Sequence, residues 1–261
     1  MERRVPVVAG ITFAVLYGVA LLTVPPLPGI DSSGLDVVAH VNDHAAAMRT
    51  QALLVTFASL ALVVVLSQAR SRLTGPYAYM FTIGAAVVLA KITIATWFTA
   101  GLALHPGELG SATARTITDV VTMSVPVLTV ANIMVAAPIL LAANEGRFPR
   151  WVGIAAAVFG VEQLIETITI IGPPGSFISP GGPMNLYLGG PLFVLFFLAL
   201  GVALSLPEDA GSDAPAGSPA SDDVESGDTA GDSAGSDAPA DSSAAVSGSS
   251  PGSDSVGSDR D

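Results

Sequence analysis

Six long apolar stretches constrain this chain more than any other feature of its sequence. The hydrocarbon core of a bilayer is about 30 Å thick and needs about 20 helical residues to cross it. Unpaired backbone groups are too costly in lipid for open structures, so these stretches predict helices. They cover approximately Val5–Val24, Gln51–Gln68, Tyr79–Ala103, Thr118–Ala142, Trp151–Ile171 and Met184–Leu206. The predicted fold class is therefore all-α: a six-helix transmembrane bundle over residues 1–206.

The composition and the loop charges agree with a membrane protein. Apolar residues make up 51% of the chain and charged residues only 12%, which is unlike a soluble surface. Basic residues gather on one side of the predicted bundle: Arg3, Arg4, Arg70, Arg72, Arg147 and Arg150, against Arg49 and Arg115 on the other. The positive-inside rule then places both termini in the cytoplasm, with the bundle in the cell membrane. The first stretch could also be a cleaved signal peptide, but VPPLPGIDSSG lacks a small-x-small cleavage site, and we expect the stretch to be retained.

Residues 207–261 have a different composition. They hold one arginine and thirteen acidic residues, which accounts for the whole net charge of −12, while residues 1–206 carry nine basic and nine acidic residues. The segment is rich in Ser, Asp, Gly, Ala and Pro and has few apolar residues to offset the loss of chain entropy on folding. It is therefore predicted to be a disordered acidic tail. It is either a solubilising segment, which we favour, or a tether for a basic partner.

The fifth stretch contains polar residues that a bilayer would ordinarily exclude. In GVEQLIETITII, Glu162 and Glu166 are four residues apart and lie one above the other on a helix, with Gln163 beside them. The apolar residues of the same stretch fill the other side. A charge facing lipid at mid-depth costs about 2.5–3.5 kcal/mol or more, so we expect this polar face to look at other helices or at trapped water.

The only lysine of the chain lies in the third stretch and offers a partner for these carboxylates. Lys91 in VVLAKITIATW is 12 residues beyond Tyr79, and Glu162 and Glu166 are 11 and 15 residues beyond Trp151. The depths match at about 1.5 Å per residue. We therefore predict an intramembrane charge cluster of Lys91, Glu162, Glu166 and Gln163, with an ion pair between the third and fifth helices. The formal charge of this cluster is −1. The cluster is either a proton- or cation-binding site or an ion pair that links the helices structurally.

The three histidines fall on the side opposite most arginines. His40 and His44 are four residues apart, the spacing at which two imidazoles on one helix can bind a metal, and His105 could complete the site. That arrangement would make the protein an exterior metal-binding sensor. The alternative, which we favour, is a short interfacial helix that begins after Asp31 to Ser33 and carries the two histidines.

Several other residues predict local structure. Thr116 and Asp119 fit a capping box at the start of the fourth helix. Pro126 and Pro138 predict kinks within that helix, and Asn132 could bond across a helix interface or reach the carbonyl groups that the prolines free. Gly-Gly-Pro at 189–191 lies inside the last stretch and fits either a broken helix at a substrate site or, as we favour, a ragged helix start.

The sequence lacks the signatures of an enzyme. It contains no His-Glu-x-x-His, no Gly-x-Ser-x-Gly, no Walker loop and no cysteine. Since no basic patch is present, no nucleic-acid partner is expected, and no cofactor is predicted. The bilayer is the expected partner, while protein partners and a homo-oligomer are left open.

Three segments resemble a known group of proteins. VAHVNDHAAAMR, GRFPRWVG and SPGGPMNL are similar to segments of a broad group of uncharacterised six-helix integral membrane proteins from actinobacteria and other GC-rich prokaryotes. The most telling element is Pro149, Arg150, Trp151 and Gly153. The resemblance covers about residues 5–206 and implies the topology alone, since no activity is assigned to the group. The tail and the charge cluster lie outside it.

Three functions follow as hypotheses. The first is a non-catalytic membrane protein whose inner charges hold the bundle together. The second is a small proton- or cation-coupled transporter or channel that uses Lys91, Glu162 and Glu166. The third is the metal-binding sensor built on the histidines.

Overall fold

The computed structural model describes residues 4–206 as helices and loops, without a β-strand in that range. The α-helices are α1 (Val5–Thr23), α2 (Gly34–Ser71), α3 (Gly75–Leu102), α4 (Ser111–Val127), α5 (Thr129–Asn144), α6 (Arg150–Thr167) and α7 (Gly190–Ser205). Short 3₁₀ turns occupy Pro106–Glu108 and Ile168–Ile171, and a π-helical turn occupies Asn185–Gly189. The predicted acidic tail lies outside the described residues.

The six predicted spans are confirmed as six helical segments that are long and apolar enough to cross a membrane. The first three spans are α1, α2 and α3. The fourth span consists of α4 and α5, the fifth of α6 with its 3₁₀ turn, and the sixth of the π-turn with α7. The chain runs back and forth between two faces. The long-loop face carries residues 24–33, 103–110 and 172–184, and the short-loop face carries residues 72–74 and 145–149.

The spans pack in chain order around a ring. α1 packs on α2 and α7, α2 on α3, α3 on α5, and α5 on α6, while α6 closes the ring against α7. Small residues allow close approach at several of these contacts. At Gly84 an added Cβ would lie 2.9 Å from the carbonyl oxygen of Ala131, so only glycine fits between α3 and α5 there.

The second helix differs from its prediction. The sequence predicted a span of 51–68 and a separate short interfacial helix before it, but α2 is one helix of 38 residues. Ser33 caps it through a capping box with Asp36. No proline or glycine follows before residue 51, so nothing ends the helix at the membrane surface. At 1.5 Å per residue, α2 is about 57 Å long, well beyond the hydrocarbon core.

Two apolar cores stabilise the bundle. The larger one joins α1, α2, α3, α5, α6 and α7 and contains a group of phenylalanines, with the rings of Phe13 and Phe197 5.8 Å apart and edge-to-face. The smaller one lies at the long-loop face, where Val37 and Val41 of α2 pack near Leu102 and Ala114. The extra turns of α2 are thus held by the ends of α3 and α4.

The predicted capping box at Asp119 is wrong. The helix begins earlier, at Ser111, and the Thr116 hydroxyl donates to the carbonyl oxygen of Ala112. Asp119 instead accepts from Arg115, whose Nε lies 3.1 Å from its Oδ2. The same guanidinium donates to the carbonyl oxygen of Gly29 at 2.8 Å, so it ties the loop between α1 and α2 to α4.

Candidate functional site

The fourth span is broken near its middle, and the break exposes backbone groups to side chains. α4 ends at Val127 and α5 begins at Thr129, just after Pro126, which has no N–H to donate. The hydroxyl of Thr129 donates to the carbonyl oxygen of Pro126 at 2.8 Å. A kink was predicted at both prolines; the helix is interrupted at Leu128, two residues after Pro126, whereas Pro138 lies inside the uninterrupted α5.

The polar residues of α6 face the interior of the bundle, as the sequence predicted. Glu162, Gln163 and Glu166 are only 4%, 1% and 3% exposed. On the opposite side of the helix, Val161 is 56% exposed and Leu164 58%. The exposed side therefore suits lipid, and the two glutamates are shielded from it.

Gln163 joins the two carboxylates. Its Nε2 donates to Oε2 of Glu162 and to Oε2 of Glu166, at 2.7 Å in both cases. Its Oε1 accepts from Nδ2 of Asn132 on α5, which confirms the prediction that Asn132 bonds across a helix interface. Because one amide nitrogen serves both carboxylates, the two negative groups lie side by side in a buried setting.

A third element completes this group at the start of the last span. Asn185 opens the π-helical turn and donates from Nδ2 to Oε1 of Glu166 at 2.5 Å. Gly189, at the other end of the turn, lies against both carboxylates: an added Cβ would be 3.1 Å from Oε1 of Glu166 and 3.3 Å from Oε1 of Glu162. We call Asn132, Glu162, Gln163, Glu166 and Asn185 the carboxylate cluster.

Sequence reasoning did not include Asn185 or Gly189 in the site. The sequence signal nearest to them is the Gly-Gly-Pro at 189–191, which fits a ragged helix start. The π-turn is irregular backbone within a membrane span, and such backbone is tolerated where it is buried in protein or lines a cavity. The last span is nevertheless one continuous helical segment from Asn185 to Ser205, so the region is an irregular helix start, as favoured, and its π-turn borders the carboxylates.

Lys91 does not form the predicted ion pair. Its Nζ donates to the carbonyl oxygen of Val125, just before the break in the fourth span, at 3.2 Å. Among the described side chains, no carboxylate oxygen lies within 4.0 Å of this ammonium group. The reason is the order of the helices: α5 packs between α3 and α6, so the third and fifth spans are not direct neighbours.

A cavity of about 380 Å³ is nevertheless lined both by Lys91 and by every member of the cluster except Glu162. Its lining includes Lys91, Asn132, Gln163, Glu166 and Asn185. The cavity is also lined by residues 25–30 and 180–181 of the loops at the long-loop face. No described residue of the loops at the short-loop face lines it. We call it the central cavity, and it reaches from one face of the bundle to mid-span depth.

Three buried oxygen atoms of the cluster have no hydrogen-bond partner among the described residues: Asn132 Oδ1, Glu162 Oε1 and Asn185 Oδ1. Buried polar atoms are ordinarily paired, since an unpaired one costs about 1–3 kcal/mol. All three oxygens are acceptors, because the two asparagines donate through Nδ2 and Glu162 contributes a carboxylate oxygen. The cluster therefore has unused capacity for a ligand that donates hydrogen bonds or carries positive charge.

The histidines are not assembled into a metal site. His40 and His44 lie close on α2, with ring centroids 4.6 Å apart, and Nδ1 of His44 lies 2.9 Å from the carbonyl oxygen of His40. Within residues 4–206, no three His, Cys, Asp or Glu side chains come together in a group that could hold a metal ion. His105 accordingly does not complete a site with the other two.

Comparisons with protein-family models, with curated proteins and with solved structures found no match to this chain.

Proposed function

We propose that this multi-pass membrane protein is a small, non-catalytic transporter of the cell membrane that couples solute movement to a proton or another monovalent cation. Both termini would lie in the cytoplasm, as the loop arginines predict, so the central cavity would open to the outside. The coupling ion would bind at the carboxylates of Glu162 and Glu166. The observation that carries the proposal is the pair of buried carboxylates on one amide nitrogen, beside a cavity that reaches only one face.

The charge of the site supports a cationic ligand. Glu162 and Glu166 carry two negative charges against the single positive charge of Lys91, which leaves −1 in a buried region of a membrane span. Charge in such a setting is costly, so a bound proton or monovalent cation would lower the free energy of the site. The unpartnered Oε1 of Glu162 offers a place for it.

The test uses protein reconstituted in liposomes with an entrapped pH-sensitive dye and an imposed membrane potential. Wild-type protein is assayed alone and with a mixture of small neutral, cationic, anionic and zwitterionic solutes on the outside. It should give a proton flux that varies with external pH and exceeds that of protein-free liposomes. Glu162→Gln should reduce this flux to the background, because it removes the titratable group and keeps the side-chain shape. Glu145→Gln is the matched control, since Glu145 pairs with Arg147 at the short-loop face and should leave the flux unchanged.

A structural role is the second candidate, and the hydrogen bonds of the cluster favour it. They link α5, α6 and the start of the last span through Asn132, Gln163 and Asn185. The hydroxyls of Thr129 and Thr167 add another link between α5 and α6 at 2.7 Å. If wild-type protein gave no flux under either condition and Glu162→Gln only lowered the unfolding temperature in detergent, the structural role would stand and the transporter would be rejected.

A further inference from the structure

We propose that the solute of the central cavity is a small zwitterion, a molecule with one ammonium and one carboxylate group. The inference rests on the proposed function and names the chemical class of its solute. The ammonium group would bind at Asn132, Glu166 and Asn185, and the carboxylate group would bind at Lys91. Both parts of the site line the same cavity.

One wall of the cavity is rich in hydrogen-bond acceptors. Asn132 and Asn185 each use Nδ2 as a donor within the cluster, to Gln163 and to Glu166, and each leaves Oδ1 without a described partner. Both oxygens are almost fully buried, so bulk solvent does not satisfy them, and a bound ammonium group would draw the two amide side chains toward the cavity. An ammonium group has three N–H donors, which suits two amide oxygens and an adjacent carboxylate.

Another part of the cavity offers a donor. Lys91 makes one hydrogen bond, to the carbonyl oxygen of Val125, although its ammonium group has three N–H donors. No described carboxylate lies within 4.0 Å to neutralise it. A carboxylate group of a ligand would supply the missing partner through a charge-assisted hydrogen bond.

Charge balance favours a zwitterion over a singly charged ligand. A simple amine would leave the Lys91 ammonium unpaired, and a simple carboxylate would leave the acceptor wall unpaired. A zwitterion satisfies both walls and adds no net charge to a buried region, where added charge is costly. The net charge of −1 then remains for the coupling ion at Glu162 and Glu166.

The size and the remaining lining fit a small molecule with an apolar part. A volume of about 380 Å³ is at the lower end of the range of about 300–1,000 Å³ for small-molecule sites. Apolar side chains complete the walls between the polar groups: Leu21, Val88, Ile92 and Phe193. The ligand would place a short hydrocarbon portion against them.

The experiment measures binding of matched probes to the purified full chain in detergent, by thermal unfolding and by titration calorimetry. L-leucine is compared with isopentylamine, which lacks the carboxylate, and with isocaproate, which lacks the ammonium. ε-Aminocaproate, with pentylamine and caproate, covers a wider spacing of charges. We expect one or both zwitterions to bind saturably and to raise the unfolding temperature, and none of the singly charged probes to do so.

Variants assign the binding to the cavity. Lys91→Met should weaken zwitterion binding at least about tenfold, the loss expected for one charge-assisted hydrogen bond. Arg49→Met is the matched control, because Arg49 is exposed on α2 and does not line the cavity. The comparison of probes uses wild-type protein only. It therefore tests whether the cavity binds zwitterions even if Lys91→Met fails to fold.

The outcomes separate this inference from the proposed function. Failure of both zwitterions to bind, or equal binding of an amine or carboxylate alone, would overturn the inference, whatever the flux assay gives. Proton flux without zwitterion binding would leave the transporter standing with another solute. Zwitterion binding without any flux would uphold the inference and reject transport in favour of a binding protein.

Discussion

The two ends of the last span make opposite kinds of contact. Near the short-loop face, α7 packs tightly on α1, where an added Cβ at Gly201 would lie 2.9 Å from the Cα of Gly10. At the long-loop end, the π-turn borders the carboxylate cluster, and Gly189 leaves room for two side-chain carboxylates. Both contacts depend on a glycine. Gly201 allows the backbones of α1 and α7 to approach closely, whereas Gly189 leaves room for the carboxylates of Glu162 and Glu166. Tight packing stabilises the bundle at one end, whereas the polar end lines the central cavity.

The largest effect is expected at the tight end. Gly201→Leu should lower the free energy of unfolding by about 3 kcal/mol, because the new side chain would overlap the backbone of α1. The measurement is thermal or denaturant unfolding in detergent. Gly18→Ala on α1 is the control, since nothing lies within 4 Å of an added Cβ there, and it should be neutral or slightly stabilising. Equal losses in both variants would contradict the close contact of α1 and α7.

The next effect concerns the two glutamates. Glu166 accepts at both carboxylate oxygens, from Gln163 and from Asn185, so Glu166→Gln places an amide NH₂ opposite one of these donors. The free energy of unfolding should fall by about 2 kcal/mol. Glu162→Gln should cost less, because only Oε2 of Glu162 accepts a described hydrogen bond. Unfolding of the two variants side by side tests this order, and a reversed order would contradict the assigned network.

A smaller effect is expected at Gly189. An added Cβ would lie 3.1 Å from Oε1 of Glu166, and hydrogen bonds from Gln163 and Asn185 hold that carboxylate in place. Gly189→Ala should therefore cost about 1 kcal/mol. The adjacent Gly190→Ala provides the control, because its nearest atoms would be at an ordinary 3.8 Å. If both alanines behaved alike in unfolding experiments, the carboxylates would not lie against Gly189.

The smallest effect on stability is expected at Lys91. Without an ion pair, Lys91→Met loses one hydrogen bond to a carbonyl oxygen but also removes an unpaired charge from the bundle interior, so the net cost in unfolding should be only about 0.5 kcal/mol. Breaking a buried ion pair would instead cost about 3–5 kcal/mol. A loss of that size would bring back the direct pairing of Lys91 with a glutamate.

The sequence predicted the spans well because their signal is local. Lipid requires long apolar helices, and each of the six is visible as a continuous stretch. The inward face of α6 was also predictable, since polar residues four apart must share a side. The fused α2 was missed because hydropathy marks the membrane-crossing part of a helix and does not show where the helix continues into water.

The site was only partly predictable because it depends on which helices are neighbours. Lys91 and Glu166 match in depth, but depth does not reveal that α5 packs between α3 and α6. Asn185 and Gly189 enter the site through a π-turn, and the Gly-Gly-Pro at 189–191 indicates an irregular helix start there but not which side chains it brings to the carboxylates. Asn132 was recognised as an interface residue, yet its bond to Gln163 follows from the packing of α5 on α6.

The length of α2 gives the protein an accessible marker of its orientation. Of its length of about 57 Å, a hydrocarbon core accounts for about 30 Å, so the first turns stand in water on one side of the membrane. Leu35, in the first turn, is 71% exposed. The chain contains no cysteine, so Leu35→Cys would carry the sole thiol. A maleimide reagent that cannot cross membranes would label this thiol on intact cells if the long-loop face is external, and only after cell lysis if that face is cytoplasmic.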